Sequence, residues 1–120
     1  MAKVAESKSS NQTVSEIVHL HNHSNHSFLD GQASITDMVK RAKELKLDTL
    51  ALTNHGNIFG WVEFYKECKK AGIKPILGCE FYLTDEHDKK DRHAHHLVVL
   101  PENDVGMNNI IRLTTIANKR

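Results

Sequence analysis

The sequence predicts an α/β domain built on a mainly parallel sheet covered by helices. Short apolar runs of strand length alternate with stretches whose apolar residues recur every three or four positions. The resulting order is strand, helix, strand, helix, strand, strand, helix, which is the rhythm of βαβ units. The runs are close to continuous in apolar character, as strands buried on both faces of a parallel sheet require.

Taken in order, residues 1–16 are polar, rich in Ser and Lys and without an apolar run, and read as a disordered tail rather than a secretory leader. The domain is expected over 17–120. Ile17-Val18 opens a strand leading into a histidine-rich stretch. Ser34 with Asp37 forms a capping box for a helix whose inner face carries Ile35, Met38, Val39, Ala42 and Leu45. A strand over 49–53 stops at Asn54-His55-Gly56, and a helix follows over 59–70 with Val62, Tyr65 and Cys68 inward. Gly72 ends that helix. One strand over 74–83, a charged loop over 84–93 and a strand over 95–100 come next. Pro101 stops the last strand, and Asn103 or Asp104 caps a helix bearing Val105, Met107, Ile110, Ile111, Leu113 and Ile116.

With 120 residues the chain is one domain at most and falls short of a complete (β/α)8 barrel. A net charge of +1 gives no broad footprint for general nucleic-acid binding. The lysine-rich stretches 40–46 and 66–74 read as solvated helix faces, and Trp61 and Tyr65 as packed rather than base-stacking. Cys68 and Cys79 match no CxxC pattern and read as small core residues of a cytoplasmic, reducing compartment. No stretch approaches the roughly 18 apolar residues of a membrane span, so no membrane partner is expected.

Histidine is the compositional outlier, at nine residues. Four of them, His19, His21, His23 and His26, fall within eight positions, with Asp30 close behind. On a strand, His19, His21 and His23 share one face. Neutral imidazoles suit zinc, manganese or iron, and a carboxylate can bridge to a second ion. The plain alternative is a solvated His-rich turn that binds nothing. In a parallel sheet the loops after the strands gather on one rim. That would bring together His21, His23 and Asp30 after the first strand, His55 after the second, and Glu80 late in the third. His96 begins its strand and has to be reached from the loop before it. His26, His87, His93 and His95 are expected in solvent.

These segments resemble the polymerase and histidinol phosphatase (PHP) family, in the form carried by bacterial DNA polymerase III alpha subunits. The resemblance rests on His19-Leu20-His21-Asn22-His23-Ser24, Ser27-Phe28-Leu29-Asp30-Gly31, Ala51-Leu52-Thr53-Asn54-His55-Gly56-Asn57, Gly72-Ile73-Lys74-Pro75-Ile76-Leu77-Gly78-Cys79-Glu80 and His96-Leu97-Val98-Val99-Leu100. It implies the first half of a distorted (β/α)7 barrel holding divalent zinc, manganese or iron, up to three ions in the family and fewer expected here. By position it implies His21, His23, Asp30, His55, Glu80 and His96 as ligands, with Glu80 bridging. Asn54, where the family's Thr-Asp-His-Gly carries Asp, and His19 are expected to support the ligands from behind.

Two functional readings follow from the resemblance. One is a metal-dependent phosphoesterase with a 3′–5′ exonuclease-like action on a DNA 3′ end or nucleotide phosphoester. The other is a non-catalytic module of the replication machinery that binds a replication protein or completes its half-barrel by self-association. The family's later ligands and the polymerase core are expected to lie beyond Arg120.

Overall fold

A computed structural model describes residues 17–28, 30–84 and 95–119. The expected polar tail, His87, His93 and nearly all of the expected loop over 84–93 lie outside the described residues.

Helix α1 (Ile35–Glu44) starts where Ser34 closes the expected capping box: its hydroxyl accepts the Asp37 N–H at 3.1 Å and donates to the Asp37 carboxylate at 2.6 Å. Ile35, Val39 and Ala42 are buried, while Leu45, one residue past the helix, stays largely open. Strand β1 (Thr49–Leu52) follows, then α2 (Trp61–Ala71). Helix α2 leaves from Gly60 at φ 80°, where a Cβ would come within 2.5 Å of Ile35 and 2.8 Å of His26. That start turns Trp61, Phe64 and Cys68 inward, and the Trp61 indole N–H donates to the Gly78 carbonyl at 3.1 Å. The expected inner stripe is therefore corrected: Cys68 belongs to it, but Val62 and Tyr65 are exposed.

Strand β2 (Lys74–Leu77) lies parallel to β1, from Thr49 against Lys74 to Leu52 against Leu77. The single strand expected over 74–83 breaks at Gly78. A Cβ there would meet Leu100 at 2.6 Å, the Val99 carbonyl at 2.8 Å and Thr53 at 3.0 Å, so only glycine lets the chain pass. Beyond the break, β3 (Cys79–Leu83) pairs antiparallel with β4 (His95–Val99). The domain is thus mixed α/β, with one short parallel and one short antiparallel sheet, and the expectation of a mainly parallel sheet is corrected. Only residues 84–94 separate β3 from β4, fewer than the dozen or more that the crossover of a parallel pair takes, so the two strands pair antiparallel.

Helix α3 (Asp104–Ala117) is capped by Asn103, whose Oδ1 accepts the Gly106 N–H at 3.0 Å. Ile110 and Thr114 face inward, whereas Val105, Leu113 and Ile116 are exposed. The core unites Ile35, Val39, Leu52, Phe64, Cys68, Cys79 and Ile110. Burial of side chains of this size contributes about 1.5–3 kcal/mol each. Both cysteines are free and buried, and burial pushes each thiol up to about 11.

Candidate metal centre

The histidine-rich stretch runs beside β1 without becoming a regular strand, and the hydrogen bonds say why. The Ala51 N–H donates to the His19 carbonyl at 3.2 Å and the Thr53 N–H to the Asn22 carbonyl at 2.8 Å. Two steps along β1 therefore match three along its neighbour, as in a bulge. The Asn22 side chain fills the gap, donating to the carbonyls of His19 (2.9 Å) and Ala51 (3.1 Å). The Thr53 hydroxyl accepts the Asn22 N–H at 2.9 Å and donates back to the Asn22 carbonyl at 3.0 Å. The bulge breaks the expected common face: His21 and His23 join the cluster described next, while His19 lines a separate, mostly apolar cavity of about 380 Å³ against α1.

After Leu52 the chain reaches His55, which forms a parallel bridge with Glu80. The Gly56 N–H donates to the Glu80 carbonyl at 2.8 Å, and the Glu80 N–H to the Asn54 carbonyl at 3.1 Å. On the antiparallel pair, Tyr82 stands opposite His96. Glu80 and Tyr82, two positions apart on β3, share a face.

The Glu80 carboxylate is the hub. Its Oε2 lies 2.8 Å from His21 Nε2, 2.5 Å from His23 Nε2 and 3.4 Å from His55 Nδ1, and its Oε1 lies 2.5 Å from His96 Nδ1. Asp30 Oδ2 sits 2.8 Å from His23 Nδ1 and 2.9 Å from His55 Nδ1. Three donor groups result: His21, His23 and Glu80; His23, Asp30 and His55; His55, Glu80 and His96. Within each, the donor atoms lie within 4.8 Å of one another. Glu80 is 1 % exposed, and the His23 and His55 side chains 16 %, while those of His21 and His96 stand half open at 52 %. A cleft of about 470 Å³ is lined by His21, Asn22, His23, Asp30, Ala33 and Met38.

The residues fit divalent metal ions. His55 Nδ1 and Glu80 Oε1 are buried and make no directed hydrogen bond, although carboxylate and imidazole atoms stand within 2.9 and 2.5 Å of them. Such orphaned atoms are rare in protein interiors and point to a missing partner. His23 argues the same way. With Nδ1–H donated to Asp30, its Nε2 lone pair faces a carboxylate oxygen at 2.5 Å, and only a second proton or a cation between them relieves the repulsion. Imidazole nitrogen with carboxylate oxygen is the donor set of zinc, manganese and iron.

Both carboxylates are held ionised. Burial pushes Glu80 up, but the His21 hydrogen bond and the positive ends of His55 and His21 outweigh it and hold the group below its usual value. Asp30 behaves likewise: burial opposes, and the Ser27 hydrogen bond with the His23 and His55 charges wins.

The structure brings together all six side chains expected as ligands, His21, His23, Asp30, His55, Glu80 and His96. The two residues expected to support them, His19 and Asn54, make no side-chain hydrogen bond to a candidate ligand among the described residues. His19 lines the cavity beside α1, and the Asn54 side chain bonds Ser24 and the Phe59 carbonyl rather than an imidazole. His26 pairs with Glu63 of α2 at 3.6 Å, and His95 is exposed. Sequence reasoning missed Ser24 and Ser27, both fully buried: the Ser27 hydroxyl accepts the His55 N–H at 3.0 Å, tying the two ligand loops together. It also missed the reason for Gly31, where a Cβ would lie 1.9 Å from the Ser24 carbonyl oxygen. The Asp-Gly pair at 30–31 reads as a turn in the sequence, which does not show that the turn lies against Ser24.

A family model described as PHP domain matches residues 19–120. The DNA polymerase III subunit alpha of Borreliella burgdorferi is 44 % identical over 109 residues, covering 86 % of this chain and 10 % of the relative. That of Treponema pallidum is 46 % identical over 107 residues, covering 83 % and 9 %. The chain thus spans about a tenth of the length of these curated relatives. Among solved structures, a Bifidobacterium adolescentis protein assigned as a metal-dependent phosphoesterase matches with TM-score 0.60 and 22 % identity, over 79 % of this chain and 32 % of its own. An amidohydrolase from Chromobacterium violaceum with bound sulfate matches with TM-score 0.60 and 28 % identity, over the same shares. No described helix is long and apolar enough to cross a membrane.

Proposed function

Because this chain belongs to the PHP domain family, we propose that its His/Asp/Glu cluster is a divalent-metal centre acting on a phosphoester, with a nucleotide 3′ end as the substrate class. The observation that carries this reading is Glu80: a buried carboxylate with His21, His23, His55 and His96 around it and one oxygen left without a directed hydrogen bond. Zinc, manganese or iron would be held by His21, His23, Asp30, His55, Glu80 and His96, and would supply positive charge against a phosphate.

The chain's own residues do the rest. Asp30 fixes the tautomer and tilt of His23 through Nδ1, directing Nε2 at the Glu80 side. Glu80, held ionised, spans two of the three donor groups and keeps cationic charge favourable there. His21, half open, lines the cleft a phosphate would enter, and His96 stands half open on the other oxygen of Glu80. The fold extends the proposal. The fold similarity to both matched structures, of which the chain covers 32 %, fits a reading of the chain as part of a larger domain, the first part of a distorted (β/α)7 barrel. The relatives named DNA polymerase III subunit alpha support a replication-complex setting.

A second reading is a non-catalytic module in which the same cluster serves as a structural tie. The observation favouring it is that one carboxylate, Glu80, links the 19–23 stretch, β1's following loop and β4 through their histidines. Hydrolysis of a 3′-terminal nucleotide with manganese, abolished in His21→Ala, supports the first reading. Full manganese loading without hydrolysis leaves the second.

A further inference from the structure

Tyr82 is the aromatic side chain that touches the cluster. Its ring centroid lies 5.0 Å from that of His55 and 5.3 Å from that of His96, the latter edge to face. It shares the β3 face of Glu80 and pairs across the ladder with His96. The Tyr82 ring is 56 % exposed, and unlike the equally open Leu83 beside it, it touches two candidate ligands. Phe28 and Phe59 are also exposed, but among the described residues Tyr82 is the aromatic in ring contact with the candidate ligands. The arrangement leaves an aromatic surface open beside His55 and His96, two of the candidate ligands.

We propose that Tyr82 is the platform on which the base of a nucleotide stacks while its phosphate occupies the His/Asp/Glu cluster. This rests on the phosphoester reading and adds the group that distinguishes a nucleotide from a phosphoester without a base. Stacking of a base on an aromatic side chain strengthens binding by about fivefold or more and tolerates any base, because every base has a π-face. Tyr82 then confers preference for nucleotides without reading sequence.

The test is calorimetric titration of the manganese-loaded full chain with thymidine 5′-monophosphate and with methyl phosphate, alongside the manganese content of each variant. The expected result is a preference for the nucleotide of at least about fivefold. Tyr82→Phe, which keeps the ring, retains the preference. Tyr82→Ala reduces it to less than about twofold with its manganese content intact, since the base loses its stacking partner. Equal affinity of the wild-type chain for both ligands overturns the assignment of Tyr82 and leaves the phosphoester reading standing. Retention of the preference in Tyr82→Ala, or loss of manganese from it, also overturns the assignment. Failure of a manganese-loaded wild-type chain to bind either ligand overturns the phosphoester reading and the platform with it.

Discussion

Asn54 grips Ser24 from two sides: its Oδ1 accepts the Ser24 backbone N–H at 2.8 Å, and its Nδ2 donates to the Ser24 hydroxyl at 3.1 Å. Nδ2 also donates to the Phe59 carbonyl at 3.1 Å, and the side chain is 1 % exposed. The family's Asp at this position would turn an oxygen toward that carbonyl, leaving two acceptors face to face in the interior. Asn54→Asp is therefore expected to destabilise the chain by about 1–3 kcal/mol. Urea unfolding measures it, and an unchanged midpoint would show that the amide's donor is dispensable.

Gly31 sets the position of Asp30. With its Cβ 1.9 Å from the Ser24 carbonyl oxygen, Gly31→Ala must displace the loop over 24–31. Asp30 then loses its 2.8 and 2.9 Å approaches to His23 and His55. The variant is expected to bind manganese at least about tenfold more weakly, the usual scale for a disturbed ligand support. Titration calorimetry reads this directly, and wild-type affinity would mean that the loop yields without moving Asp30.

Acid should weaken the metal-free chain through Glu80 and Asp30. Their folded pKa values lie below the ordinary 4.5 and 3.8, so the unfolded chain binds protons first as pH falls. The stability they contribute is present above those ordinary values and is lost as pH drops through the lower folded ones. Denaturant midpoints should fall as pH goes from 5 to below these ordinary values, 4.5 and 3.8. Glu80→Gln should flatten that decline, and an equally steep fall in the variant would place the effect elsewhere. Asp30 is a third exposed and screened by solvent, so Glu80 carries the larger part.

His21, His23, Asp30 and His55 stood out in the sequence because each follows a short apolar run, whereas Glu80 and His96 lie near the starts of β3 and β4, and His96 was singled out through the family resemblance. The helix caps at Ser34, Gly72 and Asn103 were legible for a local reason, since each cap is a contact within a few residues. What eluded the sequence depends on contacts between distant segments. The break at Gly78 is imposed by Leu100 and Val99, some twenty positions away. The inner face of α2 is fixed by a helix start at Gly60, which His26 and Ile35 demand. Ser24 and Ser27 carry no periodic signal, and their burial follows from Asn54 and His55 closing over them. Tyr82 read as one more strand residue until β4 brought His96 alongside it.

Elemental analysis of the purified chain, repeated on Glu80→Ala, bears most directly on the central claim that these six side chains form a metal centre. The wild-type chain should retain at least about one zinc, manganese or iron per molecule through dialysis, as sites with several His and carboxylate ligands do. Glu80→Ala, which removes the oxygens around which the four histidines gather, should lose it while remaining folded by circular dichroism. A wild-type chain that dialyses metal-free, or a variant that holds as much metal as its parent, would contradict the account.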